Sequence, residues 1–263
     1  MSDLHWTTAI TQIKPNEIRL RGYRVDELMG TVSFGQVVHL ALTGELPSDN
    51  VGKLMDAMLV SSIDHGVTPP SALAARTAAS TGAPLNAAIA AGVLSINEHH
   101  GGAIFDCMGV IQGGLAWAQA NGAGIQDAAT HLVQEYRAAR KRLPGLGHRI
   151  HTDDPRTKKL FGLATELGLA GEGVALIQGL AAAVEEASGK SLPVNVDGAI
   201  AGLLVDLKLP RELANGFFIM ARVPGLMAHV YEEKTRMRPM RQIHPTDHDY
   251  DGPPARPVGC GNE

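Results

Sequence analysis

The stretch PGLGHRIHTDDPR, from Pro144 to Arg156, combines two glycines and two prolines with paired histidines, aspartates and arginines. Glycine and proline disfavour the interior of helices and strands, so the stretch predicts a rigid, polar loop between two helical segments. Such a loop could bind an anionic ligand through its backbone amides and present His148 to that ligand. A solvated connector is the alternative, and composition alone does not decide between the two.

The chain around this loop has 263 residues, of which 44% are apolar, and a formal net charge of −4. This length supports one large or two small units with a buried core. The mild acidity and the lack of a basic run argue against nucleic acid as the main partner. Aromatic residues make up only 4% of the chain, and a sequence rich in Ala, Gly and Leu favours helices that approach each other closely.

The sequence predicts a protein of the cytoplasm that does not enter the membrane. Its two cysteines, Cys107 and Cys260, form no CxxC or metal-binding spacing, which is typical of a reducing compartment. The N-terminal residues lack the charged leader and apolar core of a signal peptide. Apolar runs are interrupted by Gly, Glu or Asn before they reach the length needed to span a membrane.

The periodicity of the chain predicts an all-α fold, with a short strand pair within residues 1–22. Ser33 and Gln36 form a capping-box pattern that opens a helix through Leu42, and Ser48 caps the next. Residues 84–98 carry apolar side chains on more than one face, so we expect a buried helix there. Further helices are expected over residues 48–59, 71–80, 103–117, 125–140, 155–167, 173–187, 193–207, 210–217 and 218–232, the last broken at Pro224-Gly225.

Polar residues interrupt the apolar helices at two places that could bind a ligand. His99-His100-Gly101-Gly102 joins two helices, and free amides at a helix start favour an anion or a polarised carbonyl. Asn195 and Asp197 open an apolar helix, where Gly198 leaves space beside the carboxylate. Each has a structural alternative: the histidines could cap neighbouring carbonyls, and the aspartate could cap its helix.

Two further sites carry the same ambiguity. Asp64-His65-Gly66 has the sequence of an Asx turn before two prolines. Arg222 lies in an apolar run, so a buried guanidinium there needs a carboxylate from the protein or from a substrate. The chain has no HExxH metal motif, no phosphate-binding GxxxxGKS and no GxSxG. Two histidines, an aspartate and several arginines instead suggest acid–base chemistry on a substrate that bears carboxylates.

An ordered set of short motifs resembles the citrate synthase superfamily along nearly the whole chain. Each motif is weak alone, but their common order is specific. The motifs are LRGYRVDEL (20–28), LTGELPS (42–48), DHGVTPPSALAAR (64–76), HHGGA (99–103), PGLGHR (144–149), DPR (154–156), NVD (195–197), AR-PG (221–225) and MRP (237–239).

The resemblance implies a role for each matching position. The catalytic residues would be His100, His148 and Asp197. The ligands of the di- or tricarboxylate substrate would be His65, Arg156, Arg222 and Arg238. In this family the position of Arg238 is supplied by the neighbouring subunit, so a homodimer or larger homo-oligomer is implied. The backbone that holds coenzyme A would be Leu143, Pro144, Gly145, Leu146 and Gly147.

The fold implied is a compact citrate synthase-like helical unit over residues 1–263. Residues 1–103 and 219–263 would form a large subdomain, and residues 104–218 a small one. The interval between GELPS and DHG is much shorter than in ordinary citrate synthases. The short form looks like citryl-CoA lyase and the corresponding module of ATP-citrate lyase, and RQIHP at 241–245 points the same way.

The activity implied is cleavage of citryl-CoA to acetyl-CoA and oxaloacetate. The coenzyme A thioester is then a substrate, and neither a metal nor a permanently bound cofactor is expected. A compact citrate or 2-methylcitrate synthase is one alternative, and it must also hydrolyse the thioester. A non-catalytic subunit that binds acyl-CoA is the second, although the His–His–Asp set argues against it.

Overall fold

A computed structural model describes residues 6–147, 154–241, 251–252 and 254. The chain begins with a small antiparallel sheet of three strands in sequence order: β1 (Thr11–Lys14), β2 (Glu17–Leu20) and β3 (Tyr23–Arg24). In the register, Thr11 pairs with Leu20 and Arg19 with Arg24. The sequence predicted the first two strands; the third follows a turn at Arg21-Gly22, where both residues have positive φ.

The rest of the described chain is helical, which confirms the predicted all-α class. The helices are α1 (Val25–Leu28), α2 (Phe34–Thr43), α3 (Asp49–Ser61), α4 (Pro70–Ser80), α5 (Leu85–Leu94), α6 (Ala103–Asn121), α7 (Ile125–Ala138), α8 (Pro155–Glu166), α9 (Glu172–Ser188), α10 (Val196–Asp206) and α11 (Ala214–Arg236), with a 3₁₀ turn at Arg211–Leu213 before α11.

Local signals place several helix ends where the sequence predicts them. The Ser33 hydroxyl accepts from the Gln36 amide, while the Gln36 side chain accepts from the Ser33 amide, so the capping box is confirmed. Ser48 caps α3. The predicted start at Pro193 is wrong: α10 begins at Val196, because Asn195 is extended and caps the helix with its side chain.

The main hydrophobic core lies among α6, α7, α9 and α10, with contributions from α2, α3, α8 and the start of α11. Small residues let these helices approach closely, as the composition predicted. A Cβ on Gly202 of α10 would lie 3.2 Å from the Gly173 carbonyl oxygen of α9. The carboxylate of Asp206, at the end of α10, accepts the amides that open α9, from Gly171, Gly173 and Val174.

A second, much smaller core lies between α4, α5 and α11. It consists of three alanines with Leu226 and Val230. The expectation that residues 84–98 form a buried helix is wrong for the single chain, in which α5 ends at Leu94 and most of its residues are not buried. In α5 only Ala88 and Gly92 are buried, whereas Leu94 is 78% exposed, because a ten-residue helix packed on one side leaves its other apolar face uncovered.

Helix α11 runs through Pro224 without the predicted break. Proline removes one helical hydrogen bond at a cost of about 3 kcal/mol. Here Ala221, Arg222 and Leu226 are buried on both sides of the proline, and their packing offsets this cost. By length and composition, residues 211–236 could cross a membrane, but half of their most apolar window is buried inside the fold, which is typical of a core helix.

Candidate active site

The loop over residues 143–147 is fastened to the extended segment that precedes α10. The Gly147 amide donates to the Pro193 carbonyl (2.7 Å), and the Asn195 amide donates to the Gly145 carbonyl (3.0 Å). The Asn195 side chain adds a bond from Nδ2 to the Gly147 carbonyl (2.9 Å), while its Oδ1 accepts from the Gly198 amide (3.0 Å). One asparagine therefore caps α10 and ties the loop to it, a role that the sequence analysis missed.

Two glycines make this close approach possible. Gly145 has a φ of +81°, and a Cβ there would lie 2.5 Å from Cys107 Sγ and 2.8 Å from the Gly198 Cα. A Cβ on Gly198 would in turn collide with the Gly145 carbonyl. Backbone therefore meets backbone at this point, which holds Gly145 against the start of α10. His148 itself lies outside the described residues.

Asp197 lies in the first turn of α10, beside this contact. Burial raises the pKa of its carboxyl group, and the nearby charge of Asp154 adds to that rise. The positive charges of Arg156 and Arg222 act in the opposite direction but do not overcome the burial. A carboxyl group held in this way retains a proton at higher pH than an ordinary aspartic acid, which suits a general acid.

His100 lies in a tight turn before α6, where its backbone exchanges two hydrogen bonds with Asn97. Its Nε2 is 2.8 Å from the hydroxyl of Ser71, which is buried in the first turn of α4. Burial lowers the pKa of His100, and the charges of Arg222 and His65 lower it further. The imidazole is therefore held in its neutral form, with one nitrogen already engaged.

Arg222 projects from α11 into the same region and is only 4% exposed. Its Nε donates to the Ser62 carbonyl (3.0 Å), and its guanidinium lies over the Phe218 ring at 4.8 Å. Within the described residues, no carboxylate lies within ion-pairing distance of it. A buried guanidinium in this state suits an anionic ligand.

Arg156 is placed differently, because it already has a carboxylate partner. Its Nε and Nη2 donate to the two oxygens of Asp154 (3.0 and 2.8 Å). Asp154 also accepts from the Arg156 amide and so caps α8. The charge of Arg156 still acts on Asp197, so the arginine belongs to the site.

The other two predicted substrate ligands lie in different places. His65 forms the exposed middle of the turn 64–66, which is the predicted Asx turn: the Gly66 amide donates to Asp64 Oδ2 (2.9 Å). The proximity of His65 to His100 is indicated by its effect on the His100 pKa. Arg238 follows α11 and is exposed beside a cavity of about 240 Å³ at the end of α4. It is not among the groups that shift the pKa of His100 or Asp197.

A larger cavity of about 610 Å³ opens on the outer side of the loop. Of the five predicted coenzyme A residues, Leu143, Leu146 and Gly147 line it, whereas Gly145 packs against α10. The cavity has an apolar floor and a basic rim. The basic residues, which the sequence analysis missed, are Arg137, Lys141, Arg142 and Lys190. A mixed apolar and cationic cavity suits a ligand with an aromatic base and phosphates.

The helical fold agrees with comparisons to known proteins. Residues 47–245 match the family model described as citrate synthase, C-terminal domain. The chain therefore belongs to the citrate synthase family.

The chain is similar to three proteins of known name. The citryl-CoA lyase structure from Hydrogenobacter thermophilus is 43% identical, with 97% of each chain covered and a TM-score of 0.88. The ATP citrate lyase of Methanosaeta concilii, solved in complex with (3S)-citryl-CoA, is 22% identical over 96% of this chain and 42% of its own, with a TM-score of 0.78. Citrate synthase of Haloferax volcanii is 28% identical over 75% of this chain, which spans 52% of that enzyme.

Proposed function

We propose that this protein is a citryl-CoA lyase, which cleaves citryl-CoA to acetyl-CoA and oxaloacetate. The observation that carries the proposal is a half-buried acid, Asp197, whose pKa is raised and which the charges of Arg156 and Arg222 influence. Asp197 lies in the first turn of α10, the helix whose start is bonded to the loop that leads to His148. The similarity to the Hydrogenobacter lyase supports the same reaction, because it covers 97% of each chain at 43% identity.

The arginines are the natural ligands of the oxaloacetate part of the substrate. A guanidinium binds a carboxylate with two parallel hydrogen bonds. Arg222 has its charge uncompensated within ion-pairing distance among the described residues, so a substrate carboxylate would replace its missing partner. His65 would contact the same part of the substrate from the turn 64–66.

The thioester part would extend along the loop into the 610 Å³ cavity. The backbone of residues 143–147 would hold the pantetheine arm, and the basic rim would bind the phosphates of coenzyme A. Apolar side chains of the floor, among them Val133 and Leu192, would pack against the adenine. In this arrangement the loop has two functions, since it contacts coenzyme A and carries His148.

The proposed chemistry is a retro-Claisen step in which every proton has a defined carrier. His148 accepts the proton of the tertiary hydroxyl, the C–O bond becomes a carbonyl, and the bond to the thioester methylene breaks. The electron pair moves into the enolate of acetyl-CoA. A Ser71 hydroxyl that donates to His100 Nε2 leaves the proton of the neutral imidazole on Nδ1, which can donate to the enolate oxygen. Asp197 then delivers a proton to the enolate carbon.

The runner-up is a compact citrate synthase, which condenses acetyl-CoA with oxaloacetate and hydrolyses the thioester. Its support is the similarity to the Haloferax enzyme. The sequence identity to that enzyme is lower than to the Hydrogenobacter lyase, and the chain covers about half of it. The two are separated by supplying citryl-CoA to one sample and acetyl-CoA with oxaloacetate to another. Acetyl-CoA and oxaloacetate from citryl-CoA indicate the lyase. Free coenzyme A and citrate in either sample indicate a synthase, and binding without turnover indicates a non-catalytic subunit.

We also propose that the protein is a homodimer joined through α4, α5 and α11. The core between these helices is small, and large apolar side chains on all three of them are exposed. They are Leu73, Leu85, Leu94, Met227 and Tyr231. A second copy packed on this layer would cover them and would bring Arg238, which follows α11, towards the other subunit's site.

The dimer proposal predicts complementation between two inactive variants. In a mixed dimer of Arg238→Ala and Asp197→Asn subunits, one site has both an intact Asp197 and an intact Arg238 from the neighbour. Random re-assortment should therefore restore about one quarter of the wild-type activity. No recovery on mixing, measured after confirming subunit exchange by native mass spectrometry, would mean that Arg238 acts within its own subunit or not at all.

A further inference from the structure

The turn that carries His65 is held by one face of α11. Arg222 Nε donates to the Ser62 carbonyl (3.0 Å), and His229 Nε2 lies 2.9 Å from Asp64 Oδ1. Between them, Gly225 packs directly on the Ile63 carbonyl, where any side chain would collide. Residues 222, 225 and 229 share one helix face by their spacing. Three successive residues of the segment, 62 to 64, are therefore fixed by three positions of one helix.

The tautomer of the His229 imidazole is determined by its contact with Arg76. Its Nδ1 lies 3.3 Å from Arg76 Nη1, and a guanidinium can only donate. Nδ1 must therefore accept, so the ring proton is on Nε2 and is donated to Asp64. Arg76 is itself 3% exposed and pairs with Glu232 and Glu233 at 2.8 Å each. Glu233 also pairs with Arg241 (2.9 Å), so His229 rests on a network of ion pairs in which Arg76 and Glu233 are buried.

Asp64 connects His229 to the turn through its two carboxylate oxygens. One carboxylate oxygen accepts from His229, and the other accepts from the Gly66 amide, which closes the turn around His65. Burial alone would raise the pKa of Asp64, but the bonds from Gly66 and His229 outweigh it and lower that pKa. The carboxylate is therefore ionised at neutral pH. Asp64 thus links the turn around His65 to helix α11 through His229.

Helix α4 contacts two histidines on this side of the site, His100 and His229. Ser71, in its first turn, contacts His100, and Arg76, five residues later, contacts His229. Both residues are buried. The orientation of the catalytic candidate His100 and that of the turn bearing His65 are thus set by one helix.

We propose that His229 is a positioning residue: through Asp64 it holds His65 in the place where it meets the oxaloacetate part of the substrate. His229 itself does not contact the substrate. This inference rests on the proposed function, because it assigns His65 to substrate binding.

The test compares His229→Gln with His229→Leu in citryl-CoA cleavage. A glutamine amide can reach the position of imidazole Nε2 and donate to Asp64, whereas leucine keeps the volume and loses the donor. We expect His229→Leu to raise KM for citryl-CoA about 10- to 100-fold, the effect of losing one hydrogen bond to a charged group, with kcat within about threefold. His229→Gln should recover most of that loss.

Two further variants complete the design. Asp64→Asn should raise KM as His229→Leu does, and the double variant should be no worse than either single one, because both act through one bond. His39→Leu is the matched control: His39 lies on α2 and contacts Thr43 and the Glu45 carbonyl, so its kinetics should equal the wild type.

The outcomes separate this inference from the proposed function. Wild-type protein that does not turn over citryl-CoA refutes the function. Wild-type turnover with unchanged KM in His229→Leu refutes the positioning role, and so does an equal loss in His229→Gln and His229→Leu. If His229→Leu fails to fold by circular dichroism, Asp64→Asn and His229→Gln decide: a raised KM in the first and near-normal KM in the second support the role, and any other pair overturns it.

Discussion

The two sides of the proposed active site are built by different physical means. On the Asp197 side (residues 143–147 and 193–198), backbone amides and carbonyls bond to each other and two glycines bring the chains into contact. On the Arg222 side (residues 62–66, 97–101 and 222–233), hydrogen bonds and ion pairs of polar side chains hold the structure. They involve Arg222, His229 and Asp64, and His229 is supported by Arg76 and its two glutamates.

This difference follows from what each side has to hold. The Asp197 side holds a proton donor, and burial raises its pKa more than the charges of Arg156 and Arg222 lower it. The Arg222 side holds a cation and a polar turn, so it needs fixed countercharges and donors. The Asp197 side should therefore tolerate little added volume, and the Arg222 side little loss of polarity. Three predictions test that contrast, in order of decreasing expected effect.

The first prediction concerns charge on the Asp197 side. Asp197→Asn removes the proton donor and should lower kcat for citryl-CoA cleavage by about 10³-fold. The protein should be as stable as the wild type or more so at neutral pH. A raised pKa means that the folded state loses stability as pH rises through the ordinary aspartate value, and asparagine removes that loss. Steady-state kinetics and thermal melts against pH measure both effects.

The control for this variant lies at the other end of the same helix. Asp206 accepts three amides that open α9, so Asp206→Asn should cost about 1–2 kcal/mol of unfolding free energy and leave kcat unchanged. A large loss of stability in Asp197→Asn together with retained activity would reverse the roles assigned to the two aspartates.

The second prediction concerns volume on the same side. Gly145→Ala places a Cβ against Cys107 and Gly198 at a positive φ and should lower the unfolding free energy by about 2–4 kcal/mol. Gly147→Ala has a similar φ of +83° but only Leu192 at 3.8 Å, so it should lose only about 1 kcal/mol. Denaturant titration measures the difference. Equal losses would show that the φ angle, not the close contact, dominates.

The third prediction concerns the pKa of His100 on the Arg222 side. Burial together with Arg222 and His65 lowers it, so NMR titration of labelled histidine should place it below 6.5. Replacing Arg222 with Gln should move it up towards 6.5, while the exposed Arg236→Gln should not change it. Because the lowered pKa favours the neutral form, this group destabilises the fold only as pH falls below 6.5. If the His100 pKa did not change in the Arg222→Gln variant, the charge of Arg222 would not act on His100.

Parts of this architecture could be predicted because their signals are local. The Ser33–Gln36 capping box and the Asx turn at Asp64 each need only three or four residues, and both are present. The helix following Gly101-Gly102 begins at Ala103 for the same reason. The all-α class follows from the apolar periodicity of many segments taken together, so an error in one predicted helix does not change it.

Other features depend on packing that no short window contains. The basic rim joins Arg137 and Lys141 near the end of α7 to Lys190 after α9, and only the packing of these helices brings them together. The exposed face of α5 could not be told from a core face, because both are apolar. The bond from His229 to Asp64 spans 165 residues. Helix α11 passes through Pro224 because the packing around it outweighs a local signal.

The measurement that tests the central claim most directly is cleavage of citryl-CoA in deuterated water, followed by mass spectrometry of the products. The proposed mechanism predicts oxaloacetate and intact acetyl-CoA whose methyl group carries one solvent-derived deuterium, since Asp197 exchanges its proton with solvent before delivering it. Asp197→Asn should form neither product above background. Citrate and free coenzyme A, or acetyl-CoA without solvent deuterium, would contradict the account.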